Sequence, residues 1–435
     1  MSLSGAISTA ISGLNAQSAA FGNISDNVAN SQTIGFKRVD TRFVDYLTTS
    51  TSNVNNSGAV VARPDYINNV QGTVTQSDNP LALAIAGQGF FQVSQQNGTQ
   101  GGQPTFSAEP LFSRAGDFKM DKNGYLVNGS GNFLNGWSAA PATGVVNRNA
   151  LTPIQVTQTV FNPIATSKVT LSANLPATPA AGAVVSSQIN VYDALGTVHT
   201  VALNWTQGAP NDWTVSVNVP DDIAAAARGT ADVTFGATSG HPVPAGTVGN
   251  IATVTGSVST PGYAAGSVAD LSFVTDFGSG PQTIQVNLGT FGQSDGVTQY
   301  AGTQYSLNGL TQDGVPPGAF ASIATRATGD IVVNYDNGQS RTIARVPVTT
   351  FNNPDGLQRK DGQAFSATLD SGTPRAGDPN TSGAGNLITS SVESSNVDIA
   401  NEFSKLIVAQ RAYSANTKMV TAADELLQQT IDMKR

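Results

Sequence analysis

The sequence predicts a multidomain, mainly β protein whose paired N- and C-terminal α-helices form a coiled-coil inner domain. Three observations support this prediction. Positions spaced alternately by four and three residues from Leu3 to Val28 form a pattern typical of a coiled-coil seam, in which one of the two positions is apolar at every turn and the other is mixed. The same spacing recurs from Ile399 to Ile431. Between these ends the chain is rich in Gly, Thr, Val and Asn, and it shows the period-two alternation of β-strands. A chain with long helices only at its ends is expected to use them to meet copies of itself.

The predicted helices differ in how strongly their sequences favour helix formation. Gly5, Gly13 and Gly22 lie within the N-terminal helix, and each costs about 1 kcal/mol relative to alanine. We therefore expect this helix to be ordered only when it is packed, although an ordinary amphipathic helix on a globular core is the alternative. The residues predicted to form the assembly seam are Leu3, Ile7, Leu14, Phe21, Ile24, Val28, Ile399, Phe403, Leu406, Tyr413, Val420 and Leu427.

Composition excludes several functional classes. The chain has 435 residues, a net charge of −8 and no cysteine. An acidic chain without a basic cluster is a poor nucleic-acid ligand, because phosphate contacts need grouped Lys and Arg. The absence of cysteine excludes disulfides and thiolate metal sites. We expect no membrane insertion, since the longest apolar run, Leu81 to Ala86, is far shorter than the roughly 20 residues a span needs.

The chain is expected to divide into four parts. The segments next to the helices are polar and read as an irregular, extended connector, whereas Asn-Gly pairs such as Asn97-Gly98 and Asn123-Gly124 predict hairpin turns in the next part. The proposed parts are the terminal helices (1–30 with 395–435), the connector (31–75 with 371–394), a β-rich middle domain (76–158 with 321–370) and an inserted β-rich outer domain (159–320).

No constellation of residues predicts catalysis or metal binding. The two histidines, His199 and His241, are isolated in sequence, and Asp221-Asp222 is expected to be a solvated loop rather than an acid–base pair. At the start of the C-terminal helix, Ser395 resembles the first residue of a capping box. We therefore expect no enzyme activity and no cofactor.

Four segments carry motifs. The first is an asparagine-rich turn that ends the first helix and leads into the Gly-Phe-Lys motif at 35–37. The second is the Gly-Gln-Gly-Phe-Phe motif at 87–91, and the third is the Phe-Ser-Arg-Ala-Gly-Asp-Phe motif at 112–118. The fourth begins the C-terminal helix at 395. Their ordered combination resembles bacterial flagellar rod and hook proteins. The residues that match the family pattern are Asn30, Gly35, Phe36, Lys37, Gly87, Gly89, Phe90, Phe91, Asn396, Asp398, Gln410, Arg411 and Tyr413.

The middle of the chain distinguishes between rod and hook. Rod proteins resemble these ends but are generally much shorter, whereas this chain carries a large insertion, and the segments 190–199 and 351–357 resemble hook proteins. The leading interpretation is therefore the hook. The alternatives are a distal rod protein and a secreted β-rich adhesin or hydrolase with helical oligomerisation ends.

The resemblance implies a structural subunit that polymerises into a curved hollow tube, which serves as a universal joint between rod and filament and as an export channel. It implies that the subunit binds itself, the distal rod protein, the hook cap, the hook–filament junction proteins and the flagellar type III export apparatus. The expected location is the extracellular hook of the flagellar basal body, reached without a cleaved signal peptide. Segments 31–75 and 371–385 are expected to absorb length changes when the tube bends.

Overall fold

The computed structural model describes residues 3–50, 55–140 and 144–433, and the chain divides into two compact units. The first unit comprises Met1–Gln158, Ala321–Asn334 and Ser340–Arg435. The second unit comprises Thr159–Phe320 and Tyr335–Gln339, so it is inserted into the first. Each unit has its own sheets.

Two α-helices lie at the ends of the described chain, as the apolar spacing predicts. Helix α1 spans Leu3–Ala29 and helix α2 spans Ile399–Asp432. At 1.5 Å per residue they are about 40 and 50 Å long. Neither helix has the length and apolar character needed to cross a membrane. The predicted cap at Ser395 is wrong, because the residue that caps α2 is Asp398, whose carboxylate accepts from the amides of Ala400 and Asn401.

The remaining structure is mostly β, with one 3-10 turn at Pro354–Gly356. Before the insertion, the strands of the first unit are β1 (Val39–Ser50), β2 (Asn55–Tyr66), β3 (Val74–Gln76), β4 (Leu83–Ala86), β5 (Phe91–Gln100), β6 (Gln103–Phe106), β7 (Leu111–Ser113), β8 (Lys119–Met120), β9 (Leu126–Val127), β10 (Asn132–Ala139) and β11 (Val146–Pro153).

The strands of the inserted unit are β12 (Lys168–Asn174), β13 (Val184–Tyr192), β14 (Val198–Gln207), β15 (Asp212–Asn218), β16 (Ala227–Phe235), β17 (Val248–Ala252), β18 (Val268–Asp276), β19 (Pro281–Thr290), β20 (Val297–Thr298) and β21 (Ser306–Gln312). The chain then continues through β22 (Phe320–Thr325), β23 (Asp330–Tyr335), β24 (Ser340–Arg345), β25 (Val348–Thr350), β26 (Gln358–Lys360), β27 (Ala364–Ser366), β28 (Arg375–Gly377), β29 (Asn386–Thr389) and β30 (Ser391–Glu393).

The described part of the predicted connector is only partly irregular, because it contains paired strands between stretches of turn and coil. Strands β1 and β2 form a long antiparallel hairpin in which Val39 lies opposite Tyr66, and the hairpin packs along α1. The Asn23 side chain donates to the Thr41 hydroxyl, and the Val60 amide donates to the Ser12 hydroxyl. In the return segment, β29 pairs with β4, and β30 pairs with β3. The prediction missed the hairpin because its apolar face is interrupted by a charged residue and by a proline.

In the first unit, the chain before the insertion pairs with the chain after it. Strand β10 pairs with β24 through Trp137 opposite Arg345, and β7 pairs with β27 through Phe112 opposite Phe365. One predicted turn is wrong: Gly98 lies within β5 beside a register shift, and the turn falls at Gly101 and Gly102.

The inserted unit contains two five-stranded sheets that share one apolar core. One sheet has the order β13-β14-β15-β16-β17, and the other has the order β18-β19-β12-β20 with β21 also paired to β12. Trp205 and Trp213 are fully buried between them, and Val215 and Val217 alternate with solvent-facing residues as the period-two pattern predicts. The boundaries of the four-part division remain a prediction.

Candidate assembly site

Helices α1 and α2 pack antiparallel through small side chains. Asn27 contacts Glu402, the rings of Phe21 and Tyr413 lie 6.2 Å apart, and Gly13 lies against Asn416. A Cβ atom at Gly13 would come within 2.8 Å of the Asn416 amide nitrogen. The two backbones approach closely because small residues line the contact. The buried residues are Ala10, Ala16, Ala20, Ile24 and Asn27 on α1 and Glu402, Ala409 and Ala423 on α2.

The predicted seam residues are divided between this contact and solvent. Ile24 is buried, and the half-buried members are Ile7, Leu14, Phe21, Val28, Leu406 and Val420. The exposed members are Ile399, Phe403, Tyr413 and Leu427, with 44, 51, 42 and 38 % of their surface accessible. The Leu3 side chain lies outside the described part of the chain. The sequence interpretation missed the row Glu402, Ala409, Asn416 and Ala423, whose seven-residue spacing was its only signal.

A polar cluster joins the end of α1, the hairpin and the start of α2. The Asn27 amide donates to the Val39 carbonyl and to Glu402, and its oxygen accepts from the Val39 amide. The Lys405 ammonium lies 2.8 Å from Glu402 and 2.5 Å from Asp40. Burial alone would lower the pKa of Lys405, but hydrogen bonds to Asp40 and Glu402 raise it. The cluster therefore fixes the crossing of three elements.

A buried ion triad lies where the chain leaves the helices. Glu393 accepts from the Lys37 ammonium at 2.6 Å, from the Arg114 guanidinium at 2.9 Å and from the Gly72 amide at 2.9 Å. All three charged side chains are at most 2 % accessible. Lys37 also donates to the Val70 carbonyl. Two cations share one anion, and we call this set the Glu393 triad.

Burial is the main cause of the lowered pKa values of the two cations in the Glu393 triad. It lowers the pKa of Lys37 to about 8, although the charge of Glu393 acts in the opposite direction. Burial also lowers the pKa of Arg114 against the same opposing charge. The backbone supports this geometry, because Arg114 donates to the carbonyls of Ile85 and Gly87. The triad thus ties together four chain segments that are distant in sequence.

The Gly-Phe-Lys motif positions Lys37. Gly35 has a φ of +70°, and a Cβ atom there would lie 2.3 Å from the Ala115 amide nitrogen, so only glycine fits. Phe36 packs under the Arg359 guanidinium at 4.6 Å. Asn30 lies just before this motif, and its oxygen accepts from the Thr33 hydroxyl in the turn that ends α1.

The Gly-Gln-Gly-Phe-Phe motif forms one wall of the first unit's core. Gly89 has a φ of +127°, and a Cβ atom there would come within 2.2 Å of Val348. Phe90 is buried against Phe351 and Phe365, and Arg114 lies 5.2 Å from its ring centroid. The other two family-motif residues of this segment are Gly87, whose carbonyl accepts a hydrogen bond from Arg114, and Phe91, whose ring packs on Phe118.

In the C-terminal motif, one residue is hydrogen-bonded within the subunit and two others are exposed to solvent. The Asn396 oxygen accepts from the Arg38 amide, and its nitrogen donates to the carbonyls of Ile67 and Val70. By contrast, the side chains of Gln410 and Arg411 are exposed, and neither forms a side-chain hydrogen bond or ion pair with another described residue. These two residues are available to another molecule.

A groove of about 620 Å³ opens between α1, the β1–β2 hairpin and α2. Its lining is mainly apolar, and two hairpin carboxylates, Asp40 and Asp65, lie along it. The apolar lining residues are Ala20, Ile24, Val39, Phe43, Val408 and Ala409.

The residues considered for chemistry form no metal cluster within the described part of the chain. His199 stacks on Phe277 at 3.9 Å and lies 3.0 Å from Asp221. The expectation of a solvated loop is wrong for Asp222, whose side chain is buried. Burial would raise the pKa of Asp222, but hydrogen bonds from Thr275 and from backbone amides lower it to about 2. Its role is to fix this turn of the inserted unit.

Comparisons with known proteins cover the whole chain. The flagellar hook protein FlgE of Brucella abortus is 31 % identical over 440 residues, which is 100 % of both chains. The chain belongs to the flagellar hook protein family. The hook protein of Rhizobium meliloti is 30 % identical over 100 % of both chains, and that of Escherichia coli is 28 % identical over 99 % of this chain and 100 % of its own.

Three family models match successive parts of this hook family member. They are the hook protein FlgE/F/G D1 domain at residues 84–174, the basal body protein FlaE D2 domain at 162–315 and the basal body rod FlgEFG protein C-terminal region at 388–433. The solved structure of Helicobacter pylori FlgE2 has a TM-score of 0.48, with 14 % identity over 72 % of this chain and 98 % of that one.

The chain is therefore a structural subunit of the bacterial flagellar hook, and it is part of the flagellum. Its relatives over the full length are hook proteins, so the hook interpretation prevails over the distal rod protein and over the adhesin or hydrolase. The family is a structural one.

Proposed function

We propose that the subunit polymerises through α1 and α2 into a curved hollow tube, with the helix pair forming a coiled-coil inner wall. The observation that carries this proposal is the apolar surface of α2. Its buried residues are two alanines and Glu402, whereas its large apolar side chains are mostly exposed. Exposed apolar area of this extent marks a protein interface. The exposed large residues are Ile399, Phe403, Ile407, Val408, Tyr413, Met419, Leu426, Leu427 and Ile431.

The predicted seam then has two roles. Leu406, Tyr413 and Val420 lie on the side of α2 near α1, and they help to hold the two helices of one subunit together. Ile399, Phe403 and Leu427 are accessible in the subunit, and we assign them to contacts between subunits. Such contacts join unlike surfaces, and repetition of an unlike contact builds an open helical polymer rather than a closed ring.

Under this proposal, each of the four predicted parts has its own role in the tube. The helices (1–30 and 395–435) would form the wall of the export channel, and the β-rich middle domain (76–158 with 321–370) and outer domain (159–320) would stack outside it. The described part of the connector (31–75 with 371–394) contains the β1–β2 ribbon, which begins and ends beside the Glu393 triad and would transmit torque. Its stretches without regular structure, in 31–75 and 371–385, would absorb length changes when the tube bends. We infer that bending comes from sliding between outer surfaces, which are poor in charge.

The remaining partners follow from the position of a hook between rod and filament. The tube would bind the distal rod protein at one end, and the hook cap and later the hook–filament junction proteins at the other. The subunit would pass unfolded through the flagellar type III export apparatus, without a cleaved signal peptide, and would assemble outside the cell. Such a subunit needs no cofactor for this function.

A double substitution of exposed α2 residues tests the assembly role. Leu426→Ser with Ile431→Ser removes apolar surface that is 52 and 65 % accessible in the subunit. The free energy of unfolding of the subunit should change by less than about 0.5 kcal/mol, because neither side chain is packed within it. Electron microscopy of the purified variant should show no tubes, and mutant cells should lack hooks.

Ile223→Ser is the matched control, because Ile223 is 69 % accessible but lies in the inserted unit. This control should polymerise normally. Normal tubes from the double α2 variant would contradict assembly through α2.

A further inference from the structure

Helix α2 presents three distinct longitudinal stripes. Glu402, Ala409, Asn416 and Ala423 recur every seven residues and face α1. Asn401, Lys405 and Val408 line the groove beside the hairpin, together with Ser404. Phe403, Ile407 and Arg411 recur every four residues, so they form a third stripe on another side of the helix. The side of α2 that lines the groove and the third stripe are thus different surfaces of the same helix.

One carboxylate of the groove has no cation paired with it, because the lysine that lines the groove, Lys405, already binds two other carboxylates. Asp40 and Asp65 lie directly opposite each other in the hairpin register, and like charges in that position destabilise a strand pair. Lys405 contacts Asp40 and Glu402, and Arg38 lies 3.7 Å from Asp40. Asp65 forms no ion pair with any residue in the described part of the chain. The hairpin side of the groove therefore offers an acidic group beside an apolar lining.

The third stripe has the complementary character. Phe403 and Ile407 are 51 and 50 % accessible, although both are large and apolar. One turn further along, Arg411 is exposed and forms no ion pair with another described residue. Two apolar anchors followed by a cation at four-residue spacing are the pattern of a helix that lies in an apolar groove with an acidic edge.

We propose that the groove of one subunit receives the Phe403–Ile407–Arg411 stripe of a second copy, with Arg411 of the second copy pairing with Asp65 of the first. This inference rests on the proposed polymerisation through the helices, and it names the surfaces that join. The contact joins two different surfaces, so a growing polymer always has a free groove at one end and a free stripe at the other, where further copies bind.

Cysteine cross-linking tests the contact directly, because the native chain contains no cysteine. Phe43 lies in the groove and is 45 % accessible, so Phe43→Cys with Ile407→Cys places one thiol on each proposed surface. Oxidation of assembled tubes should give a ladder of dimers, trimers and longer chains on a non-reducing gel. Oxidised monomer should give a single band. The control pair, Ile223→Cys with Ile407→Cys, should give no ladder from tubes.

A charge exchange tests the ion pair. Arg411→Asp should raise the critical concentration for polymerisation at least about tenfold, since it places three carboxylates together. Adding Asp65→Arg should restore polymerisation, whereas Asp65→Arg alone should impair it. Circular dichroism should show unchanged folding of each variant, because both side chains lie outside the packed core.

The outcomes separate the two hypotheses. Tubes that form without a cross-linked ladder, or an exchange that fails to restore polymerisation, would overturn the groove-to-stripe contact and leave assembly through the helices intact. Failure of the native protein to form tubes would instead refute the proposed polymerisation, and the groove contact with it.

Discussion

The inserted unit and the helical end of the first unit differ in how much of their apolar surface they bury. The inserted unit closes two sheets over a common core in which Trp205, Trp213 and Phe273 are at most 1 % accessible. Helix α2 buries two alanines and one glutamate, and it leaves most of its large apolar residues exposed. A sheet pair completes its core within one subunit, whereas this helix pair leaves apolar surface that, under the proposal above, neighbouring subunits cover. We infer from this difference that the inserted unit is stable alone and that the helices serve assembly.

The two regions also differ in how they use buried charge. In the inserted unit, Asp222 is a single carboxylate satisfied by hydroxyl and amide donors and by Arg228. In the first unit, the Glu393 triad buries three charges whose net value is positive. A triad of this kind fixes the crossing of several chain segments, but it depends on the anion that both cations share.

The largest difference between the two regions should appear in the folding of each region as an isolated fragment. A fragment spanning residues 159–339 contains both sheets and the shared core, so it should unfold in one cooperative transition. A peptide spanning residues 395–433 should be mostly unfolded at low concentration, because isolated helices gain little without packing. Circular dichroism during thermal unfolding measures both. A monomeric peptide that is as helical as α2 in the structure would break the comparison.

Removal of the shared anion should have the next largest effect. Glu393→Gln leaves Lys37 and Arg114 buried without a counter-ion, so the first unit should lose about 3–5 kcal/mol of stability. Lys37→Met is the matched control: it leaves the Glu393–Arg114 pair balanced and should cost about 2 kcal/mol or less. Chemical unfolding monitored separately for the two units would check this. Equal losses in the two variants would show that charge balance is not what the triad supplies.

Alkaline pH should stabilise the first unit through Lys37. Its pKa is about 8 in the folded subunit and about 10.5 in an unfolded chain, so between these values the unfolded chain binds more protons. The free energy of unfolding should therefore rise with pH from about 8 to 10.5, by up to about 3 kcal/mol. The raised pKa of Lys405 acts only above this window. Unfolding curves at several pH values should show the rise in the native protein, and Lys37→Met should lack it.

The sequence predicted the elements that depend on local periodicity. The four-three spacing predicted both helices, and the period-two alternation around Trp213 and Val215 predicted strands with one buried face. It also marked Gly35, Phe36 and Lys37 through a family resemblance, but it gave no reason for them. That reason is Glu393, which lies 356 residues after Lys37, and no local pattern reports such a contact.

Two errors have the same physical origin. The hairpin of the connector was missed because Asp45 and Pro64 interrupt its apolar face, yet both residues have partners in register, Val60 and Thr41, on the opposite strand. The turn at Asn97-Gly98 was misplaced because β5 continues past a register shift at Gly98 and turns only at Gly101 and Gly102. In both cases the partner strand decides the local structure.

The smallest predicted effect concerns two glycines of α1. Gly22→Ala adds a Cβ atom with no other atom within 4 Å, so higher helix propensity should stabilise the first unit by about 0.5–1 kcal/mol. Gly13→Ala gains the same propensity, but its Cβ atom would lie 2.8 Å from the Asn416 amide and would displace that side chain. The net change there should be near zero or destabilising, and chemical unfolding would measure both variants. If the two variants were stabilised equally, close packing at Gly13 would not hold α2 against α1. The Gly22 variant also reports on assembly: a more stable subunit that polymerises less would place Gly22 at a contact between subunits.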